Sequence, residues 1–80
     1  MKRINKTILI VEDEVALLDA VKVNLEDAGF SVLAAKDGKE GLEVAKNNHP
    51  DLILLDILIV KFFLHFHKPS SKKINNVFFL

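Results

Sequence analysis

Eighty residues make one small domain, and the absence of cysteine excludes disulfides and thiolate metal sites. The formal net charge of zero hides an asymmetry: residues 1–56 hold all eleven acids and seven of the eleven bases, a net of −4, whereas 57–80 hold four lysines and no acid, a net of +4. No signal-peptide pattern opens the chain, and the apolar run 52–66 is interrupted by Asp56, Lys61 and His65 and falls short of the roughly 20 residues of a membrane helix.

Lys2, Arg3 and Lys6 predict a frayed start. "TILIVE", Thr7 to Glu12, is a continuous β-branched apolar run, the pattern of a strand covered on both faces. Leu18, Val21 and Leu25 then recur at helical spacing, with Leu17 and Ala28 beside the stripe; Asp13 is the expected N-cap and Gly29 the left-handed stop, which predicts a helix over 14–28. "FSVLAA" predicts a second strand over 30–35. Asp37 with Glu40 three residues on is a capping-box start to a second helix, whose narrow apolar face is Leu42 and Ala45 and whose Gly41 permits close packing; Asn47, Asn48 and Pro50 end it. "DLILLD" predicts a third strand. The order β-α-β-α-β implies α/β architecture with a parallel sheet and right-handed crossovers. After Asp56 the capping and turn signals fade, five of the six phenylalanines appear, "HKPSSKK" reads as a loop and "INNVFFL" as the start of one more strand.

In open parallel sheets, sites form outside the carboxyl ends of the strands. Glu12 and Asp13 follow the first strand and Asp56 ends the third. If those strands are neighbours, three carboxylates converge and repel, and a hard divalent cation such as Mg2+ is the natural compensation. The plainer reading makes Asp13 a helix cap and Asp56 a solvated strand end. An acidic pair and a terminal acid, each behind an apolar run, favour the site.

"ILIVEDE" and "AGFSVLAAKDGKEGLEVAKNNHPDLILLDI" together resemble the receiver domain of bacterial two-component response regulators over about residues 6 to 58. The resemblance implies an incomplete flavodoxin-like, doubly wound parallel sheet, with residues 1–58 as the receiver portion and 59–80 as a divergent tail. It implies a cytoplasmic signalling module, not an enzyme in its own right. Asp56 then accepts a phosphoryl group from the histidine of a sensor kinase or phosphotransfer protein. Asp13 resembles the direct Mg2+ ligand, Glu12 the acid that reaches the metal through water, and Asp56 and the Leu58 backbone carbonyl complete the set. Neither nucleic acid nor membrane is implied as a partner.

The sequence departs from the family after residue 57. "ILIVKFFLHFHKPSS" lacks the family's Pro-x-Met-Asp-Gly segment, and no residue matches the switch Ser/Thr or the strand-five lysine. A deletion, frameshift or diverged segment is expected there, with weak or lost Mg2+ binding, slow phosphorylation and no normal output switch. Strand three is expected to be an edge, which the tail either covers as an improvised strand or, being β-prone, turns toward self-association. The competing readings are a docking module that takes no phosphate and a non-functional gene remnant. A nucleotide-binding fragment is disfavoured, because "VEDE" offers carboxylates where a glycine-rich loop would offer amides. His65 and His67 alternate but lack further ligands, so they are read as incidental, as are His49 and the tail lysines.

Overall fold

A computed structural model describes residues 3–55 and the backbone of 77–79. Five strand and helix segments follow in the predicted order: β1 (Thr7–Val11), α1 (Val15–Asp27), β2 (Ser31–Ala35), α2 (Gly38–Asn48) and β3 (Leu52–Leu55), with β4 (Val77–Phe79) added. The sheet is parallel throughout, in the order β2-β1-β3-β4. This β-α-β-α-β arrangement, with helices on both faces of a parallel sheet, matches the doubly wound, flavodoxin-like sheet that the resemblance implied.

Parity along the central strand builds two cores. Leu9 and Val11 point to one face, where Ala35, Ile53 and Leu55 join Leu42 and Ala45 of α2. Ile8 and Ile10 point to the other, where Leu18 of α1 buries with Val21, Leu25, Phe30 and Val32 packed around it. A strand buried on both sides reads as an uninterrupted apolar run, and all four residues from Ile8 to Val11 are at most 2% exposed.

The helix boundaries follow from their end groups. Gly29, at φ 106°, closes α1: its N–H donates to the Glu26 carbonyl (3.0 Å) and the Phe30 N–H donates to the Leu25 carbonyl (3.1 Å). Those two bonds, with Leu25 and Phe30 on the same core, make a Schellman stop that only a residue tolerant of positive φ permits. The start of α1 differs from expectation. Its N-cap is Glu14, not Asp13, and the Glu14 side chain makes no capping bond. Asp37 caps α2 as predicted, its Oδ1 accepting from the Glu40 N–H at 2.8 Å. Glu40 Oε1 returns a bond to the Lys36 N–H (2.7 Å), one residue before the cap.

Gly41 lies against β1. A Cβ there would meet Val11 Cγ2 at 2.7 Å and Cγ1 at 3.1 Å. Val11 is fully buried and its branched side chain is stiff at χ1. Alanine would gain about 1 kcal/mol of helix propensity, but overpacking of this kind costs about 1–3 kcal/mol. Gly41→Ala is therefore expected to lower the urea midpoint, with an unchanged or raised midpoint contradicting the tight α2–β1 contact.

One further expectation is corrected. Residues 4–6 are tied down, not frayed: the Ile4 N–H donates to the Gly29 carbonyl (2.9 Å) and Lys6 accepts from the Ser31 N–H (3.0 Å). Of the two fates expected for the edge of β3, the structure has the improvised strand: β4 pairs with it through Ile53↔Val77, Leu54↔Phe78 and Leu55↔Phe79. Self-association through an exposed strand-three edge loses that structural basis. Asp56, Leu58, His65, His67 and the tail lysines lie outside the described residues.

Candidate functional site at the carboxyl ends of β1 and β3

The strand order reverses beside β1. From β1 the chain passes through α1 to β2 on one side, then through α2 back past β1 to β3 on the other. The crevice at such a switch point, outside the carboxyl ends of the strands, is where open α/β sheets hold ligands. Val11 pairs with Leu55, the last residue of β3, and with Ala35, the last of β2. The residues that follow Val11 and Leu55 in the chain are Glu12 and Asp56.

That register is held from the far end by a residue the sequence reading assigned no role. The Thr7 N–H donates to Asp51 Oδ2 (2.8 Å), and the Asp51 N–H donates to the Thr7 carbonyl (2.8 Å). The clamp fixes the start of β3 beside the start of β1. A slip of one residue would turn every side chain of β3 to the opposite face. An acid directly after Pro50 and ahead of an apolar run was the available signal.

Glu12 is the buried acid of the site, at 2% exposure. Its N–H donates to the Ala35 carbonyl (3.0 Å), and its Oε2 accepts from the Glu14 N–H (3.0 Å). Asp13, between those two anchored positions, is exposed. The sequence-predicted pair thus divides into an inward and an outward carboxylate. Asp56 and the Leu58 carbonyl lie outside the described residues, so the full predicted set is not brought together here. Among the described residues, no group of three or more His, Cys, Asp or Glu side chains is placed to hold a metal ion. The donor chemistry of Glu12 and Asp13, carboxylate oxygens at a switch point, nonetheless suits a hard cation such as Mg2+. No helix among the described residues is long and apolar enough to cross a membrane.

Comparison with known proteins converges on one family. The model of the response regulator receiver domain matches residues 8–62. The chain is 44% identical over 57 residues to the alkaline phosphatase synthesis transcriptional regulatory protein PhoP of Bacillus subtilis (strain 168), covering 71% of this chain and 24% of that protein. It is 46% identical over 54 residues to the DNA-binding dual master transcriptional regulator RpaA of Synechocystis sp., covering 68% and 22%. The chain therefore spans about a quarter of the length of these curated relatives. Among solved structures, the receiver domain of the hybrid histidine kinase CckA superposes with a TM-score of 0.62 at 26% identity, over 92% of this chain and 82% of that one. The anti-anti-sigma factor PhyR from Bartonella quintana superposes at 0.71 and 25% identity, over 98% and 34%.

Proposed function

Because this chain belongs to the response regulator receiver family, a family of phosphorelay signalling, we propose that it takes a phosphoryl group onto Asp56 from the histidine of a sensor kinase or phosphotransfer protein. Glu12, Asp13, Asp56 and the Leu58 carbonyl are the proposed Mg2+ donors. The receiver portion is residues 1–58, and 59–80 is a divergent tail.

The observation that carries this reading is the register Val11↔Leu55, which aligns the chain leaving β1 with the chain leaving β3. Glu12 follows Val11 and Asp56 follows Leu55 in the chain, so this register supports a shared site for the two acids. Bound there, the cation offsets charge on the transferring oxygens. The rest is work for the chain's own groups. The Asp56 carboxylate forms a new O–P bond as the P–N bond to the donor imidazole breaks, and the electron pair leaves with the nitrogen. Glu12, buried, supplies negative charge that water does not screen. Asp13, exposed, meets the incoming partner's side of the site. The departure from the family's Pro-x-Met-Asp-Gly segment directly after Ile57 argues for slow uptake.

The test is incubation of the 80-residue chain with a small phosphodonor and Mg2+. The expected product gains one phosphoryl group, is discharged by hydroxylamine as an acyl phosphate, and fails to form in EDTA. No adduct at any Mg2+ concentration overturns the phosphoacceptor reading; retained kinase binding in that case marks a docking module.

A further inference from the structure

We propose that Glu12 is a positioning residue as well as a donor: its side chain anchors the turn from β1 into α1, and that anchor sets where Asp13 stands. The metal part of this inference rests on the receiver reading; the anchor itself does not.

The first turn of α1 has an unusual start. Its N-cap, Glu14, has extended backbone (φ −86°, ψ 109°) and makes no side-chain capping bond, and no acid occupies the first turn. The fixing contact comes from two residues upstream, where Glu12 Oε2 accepts from the Glu14 N–H at 3.0 Å. The Glu12 backbone is itself held by the sheet through its N–H to the Ala35 carbonyl. A continuous linkage therefore runs from β2 through the Glu12 main chain and side chain into the helix start. Asp13 is the single residue bracketed by it, so the backbone from which its exposed carboxylate projects is held at both ends. An amide-to-carboxylate bond is charge-assisted and stronger than a neutral one, and burial of Glu12 shields it from competing water.

The two roles are separable. Glu12→Gln removes the charge but keeps a carbonyl oxygen at the same reach, so the Glu14 N–H retains its acceptor. Glu12→Ala removes both. In hydrogen exchange without metal, the Glu14 amide is expected to stay protected in wild type and in Glu12→Gln, and to exchange about tenfold faster or more in Glu12→Ala. Mg2+ titration supplies the readout that a purely structural role would not move. Glu12→Ala is expected to bind about tenfold more weakly than Glu12→Gln, because only the alanine variant also releases Asp13.

Equal Glu14 exchange in wild type and Glu12→Ala overturns the anchor, and so does loss of protection in Glu12→Gln. Equal Mg2+ affinity in the two variants overturns the positioning of Asp13. If Glu12→Ala does not fold, Glu12→Leu, which fills the buried site but offers no acceptor, replaces it in both measurements with the same expected and overturning results. If wild type binds no Mg2+, the receiver reading of the metal fails, and the anchor is judged by exchange alone.

Discussion

Asp56→Asn is expected to abolish formation of the hydroxylamine-sensitive adduct while leaving the fold intact. The amide has nearly the shape of the carboxylate, but its nitrogen and neutral oxygen are far poorer nucleophiles toward phosphorus. A residual rate is expected only if a neighbouring acid substitutes. Removing one of three carboxylates that follow adjacent strands also relieves mutual repulsion when no cation is bound. The variant should therefore melt at or above the wild-type temperature in EDTA. An adduct of wild-type yield in Asp56→Asn, read by mass spectrometry, contradicts the assignment of the acceptor.

Leu9→Ala is expected to cost about 2–5 kcal/mol, measured as a shift in the urea unfolding midpoint. Leu9 is fully buried on the central strand, opposite Leu33 on β2 and Ile53 on β3. It belongs to the core beneath α2, where Val11, Leu42 and Ile53 leave little room to collapse into a cavity. A chain of 80 residues holds about 4–12 kcal/mol on the usual per-residue scale, so this one truncation removes a large part of the whole. Leu17→Ala provides the contrast. Leu17 is 42% exposed on α1, and its truncation is expected to cost well under 1 kcal/mol. Similar losses for the two would contradict the burial pattern.

The elements legible in the sequence were those with a single dominant signal. β1 announces itself because a strand covered on both faces has no polar position from Ile8 to Val11. The stripe of Leu18, Val21 and Leu25, the glycine stop at Gly29 and the Asp37 cap all stand where their spacing put them. What the sequence concealed were choices between equivalent groups. Asp13 and Glu14 are both acids ahead of the first helix, and the decision fell on Glu14 because Glu12, a residue outside the helix altogether, captures its amide. Asp51 offered a related difficulty: an acid after Pro50 marks a strand start, but its partner Thr7 lies 44 positions away and is not named by that local signal. The tied-down start has a similar cause, since the partners of Ile4 and Lys6 are backbone groups of Gly29 and Ser31. That "INNVFFL" starts a strand was legible, but its register against β3 was not, because "VFF" carries only generic β-propensity.

Within the site, the acidic pair was readable as residue types, but its division of labour was not. Adjacent residues after a strand differ in exposure according to how the turn is held, and here Glu12 faces inward at 2% exposure while Asp13 faces solvent.

The claim on which the account turns is that the acids leaving β1 and the acid leaving β3 share one divalent cation. Titration of the isotopically labelled chain with Mn2+, which broadens the signals of nearby nuclei and competes with Mg2+, tests it most directly. The predicted result is parallel broadening of the Glu12, Asp13 and Asp56 amide signals at one midpoint, reversed by excess Mg2+. Broadening confined to the β1 pair, with Asp56 unaffected at saturation, would contradict it.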